Sequence, residues 1–160
     1  MIFDNYLSQD YFNSIVEKID NIPWYFGPAV DDDEILCDPL DAYHFVHPIY
    51  DRYVQTPTYD LFRDFFKKLN MQTLYSAKIN LTQRTDRIIK HGFHTDMEMG
   101  GLTAIFYLNT NNGYTEFENG DRIESVANRL IIFDQNLKHT GTTTTDTEKR
   151  VVLNVNYRTA

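Results

Sequence analysis

Leu74-Tyr75-Ser76-Ala77-Lys78-Ile79-Asn80-Leu81-Thr82 alternates: Ala77, Ile79 and Leu81 share one face, and Lys78, Asn80 and Thr82 share the other. A period of two marks a half-buried strand. Residues 102–109 (Leu-Thr-Ala-Ile-Phe-Tyr-Leu-Asn) read as a buried strand, and 123–125, 130–133 and 151–157 as further short ones. Asn112-Gly113 and Asn119-Gly120 stand as hairpin turn signals on either side of Tyr-Thr-Glu-Phe. Short strands at this spacing, with no helices between them, predict an antiparallel sandwich or barrel.

The preceding residues, 1–73, read as a helical and loop-rich cover. Ser8 is placed to cap a helix carrying Phe12, Ile15, Val16 and Ile19 at helical spacing, which Pro23 ends. Trp24, Tyr25 and Phe26 follow as an aromatic cluster expected to pack on the core. Thr58 opens a second helix with a Phe62, Phe65, Phe66, Leu69 stripe, expected to pack against a sheet. The Asp31-Asp32-Asp33-Glu34 run reads as a solvated loop. It fails as a calcium loop because its twelfth position, counted from Asp31, is Ala42. The Thr142–Thr145 tract reads as a flexible loop. The expectation is one mainly β (α+β) domain over 1–160, with helices on one sheet of a β-rich core spanning 74–158.

At 160 residues the chain is long enough to bury about two thirds of its unfolded surface. A net charge of -8 argues against a partner bound mainly through phosphates, so no nucleic acid is expected, while a small anion needs only one or two local cations. Cys37 is the single cysteine, which precludes an internal disulfide and suits a reducing compartment. No secretory signal pattern opens the chain and no apolar run is long enough to span a bilayer. A cytoplasmic protein without a membrane partner is the expectation.

Chemistry concentrates in the β-rich half. His94-Thr95-Asp96 places an imidazole and a carboxylate two residues apart, on one face of an extended segment. His139 and Arg150 follow at distances that let short strands return them beside the pair. Two histidines and one carboxylate hold an iron ion on one side and leave coordination positions open. The rival histidines fit less well: His91, three before His94, is expected on the opposite strand face, and His44 and His47 are expected in loop or surface roles.

On the order His94-x-Asp96, Tyr107-Leu108-Asn109, Thr115-Glu116-Phe117, His139 and Arg150, the chain resembles the 2-oxoglutarate/Fe(II)-dependent dioxygenases, particularly their prolyl-hydroxylase-like branch. The resemblance covers residues 74–158, about half of the chain. It implies a double-stranded β-helix (a jelly roll) and a hydroxylase. Fe(II) would be held by His94, Asp96 and His139, with dioxygen and 2-oxoglutarate as cosubstrates and ascorbate as a supporting reductant. It implies Arg150 on the distal carboxylate of 2-oxoglutarate, where an arginine fork suits the task. Tyr107 would hydrogen-bond the same group, and Thr103, on the same strand face as Tyr107, would also line the pocket. Val152 departs from the serine or threonine that many members carry two residues after the arginine.

The implied reaction hydroxylates an aliphatic C–H and yields succinate and carbon dioxide. The substrate would be a prolyl or other residue in a protein, or a small molecule. A nucleic-acid demethylase fits less well, because that branch carries a second arginine where this chain has Asn156. The other class compatible with the residues is a non-catalytic jelly-roll module that binds metal or another ligand. A three-histidine cupin-type dioxygenase is disfavoured by the aspartate at position 96. Asn80, Asn154 and Asn156 alternate onto faces from which a substrate contact is possible.

Overall fold

Two faces of one large antiparallel sheet organise the chain. The computed structural model describes residues 1–27, 38, 41 and 43–160. The acidic run at 31–34, Ala42 and Cys37 lie outside the described residues. In chain order the elements are β1 (Ile2–Phe3), α1 (Gln9–Ile19), β2 (Tyr25–Gly27), β3 (His44–Asp51) and β4 (Val54–Gln55), then a 3-10 turn (Pro57–Phe62) running into α2 (Arg63–Lys68). There follow β5 (Thr73–Gln83), β6 (Leu102–Tyr107), β7 (Tyr114–Phe117), β8 (Arg122–Glu124), β9 (Leu130–Asp134), β10 (His139–Gly141) and β11 (Lys149–Arg158). The large sheet runs β1-β9-β6-β11-β5-β3-β2 with β4 on β3, and the small one runs β10-β7-β8. No helix among the described residues is long and apolar enough to cross a membrane.

Strand alternation divides the core. Ala104, Phe106 and Leu108, with Val151, Leu153, Val155 and Tyr157, face the helices and meet Phe12, Ile15 and Ile19 of α1 and Phe62, Phe65, Phe66 and Leu69 around α2. The intervening residues Ile105, Tyr107 and Val152 face the small sheet and pack with Ile131, Phe133 and Phe117. The helices therefore cover one face of the large sheet, as expected. Phe106 is the knot of the first layer, its ring meeting Phe65 at 5.0 Å and Phe12 edge-on at 5.8 Å. Ser8 does sit at the N-cap of α1, but its carbonyl rather than its hydroxyl makes the contact, accepting the Phe12 N–H. Val16 lies exposed at the margin of the stripe.

Several expectations need correction. The first 73 residues contribute four strands to the large sheet, not only helices and loops. In β3 the Pro48 ring removes a donor, which argues against a central strand, yet β3 pairs with β5 and absorbs the irregularity as a register shift between Pro48 and Tyr50. Of the aromatic cluster, Trp24 packs on the core while Tyr25 and Phe26 are exposed. His47 is buried, not superficial, and bonds the Pro23 carbonyl and the Thr58 hydroxyl through its two ring nitrogens at 2.7 Å each. The threonine tract is anchored: Thr142, Thr143 and Thr144 are buried, and the Thr143 hydroxyl accepts the Ile89 N–H at 2.9 Å. Asn119-Gly120 turns the β7–β8 hairpin, with Gly120 at φ +89°. Asn112-Gly113, by contrast, lies where the chain crosses from the large sheet to the small one.

Phe106→Ala empties the centre of the helix-covered layer. It should lower unfolding stability by about 3–5 kcal/mol, read as a shift in the urea midpoint at unchanged slope.

Candidate active site

Three strand ends and one irregular segment converge between the sheets. His139 opens β10, which pairs with β7, and β10 also forms an isolated bridge with His94, each backbone N–H donating to the other's carbonyl at 3.0 Å. That bridge sets the two imidazoles side by side, ring centroids 4.8 Å apart. Asp96 follows with one carboxylate oxygen 3.5 Å from His94 Nε2 and the other 3.7 Å from His139 Nε2. One ligand atom from each residue lies within 4.8 Å of the other two. The Nδ1 atoms are taken by carbonyls, His94 on Gly92 and His139 on Leu137, both at 3.2 Å. That orientation turns each Nε2 toward Asp96, the arrangement of imidazole metal ligands whose other nitrogen is held by a carbonyl.

Electrostatics keep the trio in ligand form. Burial alone pushes the Asp96 carboxyl up, but the His94 ring, the nearby His139 and the Asn154 amide outweigh it and hold the group below the usual carboxylate range. Burial pulls the His139 pKa down against the opposing pull of Asp96, which favours the neutral imidazole a metal requires. Two imidazole nitrogens and one carboxylate oxygen, gathered on one side of a cavity, fit a divalent iron.

Behind Asp96 runs a chain of polar contacts. Thr103 Oγ1 donates to Asn156 Oδ1 (2.8 Å), Asn156 Nδ2 donates to Asn154 Oδ1 (2.9 Å), and Asn154 Nδ2 donates to Asp96 Oδ2 (2.8 Å). Thr103 is fully buried in this relay and does not line the cavity that holds the trio. Its place on the strand face with Tyr107 was legible; its bond to Asn156, across the β6–β11 pairing, was not.

Arg150 occupies the far end of that cavity, whose volume is about 260 Å³. Its guanidinium is buried, with Nε donating to Ser125 Oγ (2.9 Å) and an Nη to Thr115 Oγ1 (3.2 Å). No carboxylate among the described residues pairs with it. Burial lowers its pKa, though a guanidinium stays charged. Tyr107 backs it, the ring centroid 5.7 Å from Cζ, and donates its hydroxyl to Thr115 Oγ1 at 2.7 Å. Thr115, not Tyr107, lines the cavity. Gly113 is required by packing: a Cβ there would come within 2.6 Å of Arg150 Cδ.

His91 and His44 also line this cavity, against expectation. For His91 the reason is a local bulge. Bridges pair Lys90 with Thr142 and His94 with His139, so the three residues between them on one side face two on the other. The extra residue resets the alternation and turns His91 toward the same space as His94. His91 Nε2 and His44 Nδ1 are buried without a hydrogen-bond partner, as is Asn80 Oδ1. Burial first, then neighbouring charges, holds both imidazoles at a pKa of about 4. Lys78, Asn80 and Thr82 line the cavity together, as the alternation of 74–82 requires. The remaining rival cation, Arg158, is exposed at the other end of β11.

Two outcomes are expected. Asn154→Ala frees Asp96 and should weaken Fe(II) or Mn(II) binding about 10- to 100-fold in anaerobic competition titrations. His91 takes a proton in the unfolded chain below pH 6.5 but in the folded chain only below about 4. The metal-free protein should therefore lose stability as pH falls through that window, by up to about 3 kcal/mol from this residue. His91→Asn should flatten that limb in denaturant melts.

No protein-family model matches the sequence, and no curated protein does. The structure does have relatives. It superposes on an oxidoreductase of the 2OG-Fe(II) oxygenase family from Burkholderia pseudomallei with a TM-score of 0.68 at 14% identity, covering 99% of this chain and 84% of that one. A Pseudomonas putida prolyl-4-hydroxylase matches with a TM-score of 0.65 at 13% identity, over 100% and 92% of the two chains. A Trichoplax adhaerens prolyl hydroxylase, solved with a hypoxia-inducible-factor peptide fragment, matches with a TM-score of 0.65 at 13% identity, over 98% and 82%. The chain thus has the jelly-roll fold of the 2OG-Fe(II) oxygenases, prolyl hydroxylases among them.

Proposed function

We propose that this chain is an Fe(II)- and 2-oxoglutarate-dependent oxygenase that hydroxylates an aliphatic C–H bond. The observation that carries the reading is Arg150, a buried guanidinium without an anionic partner among the described residues, opening on the same small cavity as His94, Asp96 and His139. A buried charge without a counter-ion is expensive. A dicarboxylate bridging from the metal face to Arg150 removes that cost. A module that only held a metal has no use for the cation.

His94, Asp96 and His139 would hold the ion, which would supply open coordination positions for chemistry. Asn154 fixes the Asp96 oxygen. Arg150, seated by Ser125 and Thr115, takes the distal carboxylate. His91, His44, Ile105 and Val152 fill the remaining walls and limit water. The chemistry that bound Fe(II) and 2-oxoglutarate supply is oxidative decarboxylation coupled to hydroxylation: one oxygen atom of dioxygen enters the C–H bond and the other enters succinate as carbon dioxide leaves. The substrate is a prolyl or other residue of a protein, as the prolyl-hydroxylase neighbours suggest, or a small molecule.

Purified protein given Fe(II), ascorbate and 2-oxoglutarate in air should release succinate slowly even without substrate. Protein that binds iron but forms no succinate supports the binding-module reading instead. Arg150→Ala should weaken 2-oxoglutarate binding by at least about 100-fold, the order expected for losing a charge-assisted pair of hydrogen bonds, while metal affinity is kept. Unchanged 2-oxoglutarate affinity in that variant would place the carboxylate elsewhere.

A further inference from the structure

A second and larger cavity, about 620 Å³, adjoins the one described above. Among the described residues only Lys78 and Asp96 line both, so they form the threshold between them. The outer space is walled by side chains of β3 and β5 and by the segment after Asp96, with Val46, Pro48, Tyr50, Tyr75 and Met97 supplying a largely apolar surface. Its volume is that of a site for a small organic molecule. A molecule seated there reaches the metal trio at Asp96.

Lys78 stands out against this wall. It is half-buried on β5, and its ammonium makes no hydrogen bond and no ion pair among the described residues. It forms no ion pair with Asp96, whose oxygens face His94, His139 and Asn154. Arg52, the other cation on the outer cavity, is exposed and solvated, so it needs no partner. An ammonium partly withdrawn from water does gain from one. The proposed 2-oxoglutarate site leaves that anion unsupplied: one carboxylate goes to Arg150 and the other to the metal.

We infer that Lys78 is the substrate anchor of this site, its ammonium binding the carboxylate of a small organic acid whose apolar body lies in the outer cavity against Tyr50, Tyr75 and Met97. The inference rests on the oxygenase reading and narrows its substrate to an acid with an apolar body. Lys78 is on this account a specificity residue that touches substrate at the metal's threshold. It fixes which end of the molecule meets the metal and which lies outward.

The test compares 3-phenylpropionate with its neutral isostere 3-phenylpropanamide, titrated calorimetrically into protein loaded with Mn(II) and 2-oxoglutarate. Wild type should bind the acid about tenfold tighter than the amide, as one charge-assisted hydrogen bond allows. Lys78→Met should abolish the preference and leave 2-oxoglutarate affinity unchanged, and Lys78→Arg should keep most of the preference. Equal binding of acid and amide by wild type overturns the inference, as does a preference that survives in Lys78→Met. Loss of 2-oxoglutarate binding in Lys78→Met also overturns it, because the ammonium then serves the cosubstrate. Failure of wild type to bind 2-oxoglutarate at all defeats the oxygenase reading instead, and the acid–amide preference of the Mn(II)-loaded protein then judges Lys78 on its own.

Discussion

The register between β11 and β5 is the constraint on which both cavities depend. It sets Arg150 opposite Thr82, Val152 opposite Asn80 and Asn154 opposite Lys78. All six side chains line the inner cavity. The residues between them, Val151, Leu153 and Val155 with Leu81, Ile79 and Ala77, face the helices. A slip of one residue would exchange the two sets, burying a guanidinium and two amides among phenylalanines and turning valines toward His94, Asp96 and His139. The helix-covered layer is therefore what specifies the polar one: hydrophobic burial on the outer face fixes the position of every charged group on the inner face.

That arrangement imposes polar costs, and they are met unevenly. Glu116 of β7 is buried but held by Lys90 and Arg122, both at 2.8 Å, which ties the segment before His94 to the small sheet. Asp96 is satisfied by its asparagine relay. Among the described residues Arg150 has hydroxyl partners only, and Lys78 has none. His44, His91 and Asn80 each leave a buried polar atom without a partner. Buried polar groups in native proteins are nearly all bonded, so a cluster of exceptions around one cavity marks where the fold gives up stability for binding. The asymmetry is informative in sign as well: the satisfied groups are the anions, and the unsatisfied charges are cations.

Much of this was legible in the residues. The alternation of 74–82 and 151–157 gave the strands and the cavity-facing set, and the His94-x-Asp96 spacing needed only local extended geometry to bring its side chains together. What was hidden depended on pairing between distant segments. His91 escaped because parity counted from His94 assumes an unbroken strand, and the bulge opposite Thr140 and Gly141 breaks it. The Asn156–Thr103 bond requires β6 to lie beside β11, which no short-range pattern states. Strand β3 was masked by Pro48, and the threonine tract looked mobile because its partners, Thr85 and Ile89, lie more than fifty residues upstream. Gly113 read as a turn residue, when its purpose is to let Arg150 pass.

The sign of the whole chain, with its net charge of -8, opposes an anionic ligand. Distance resolves the conflict. Exposed charges more than about 8 Å away are largely screened at physiological ionic strength, whereas the buried Arg150 and half-buried Lys78 would act across a hydrogen bond at a lower effective dielectric. The exposed acids contribute little there, and the buried ones are already committed, Glu116 to two cations and Asp96 to its histidines and the metal face. With His44 and His91 neutral above a pKa of about 4, the uncommitted charges at the inner cavity are positive. An acidic protein thus presents a locally cationic site. On the proposed reading one carboxylate goes to Arg150 in the inner cavity and a second to Lys78, which lines both cavities.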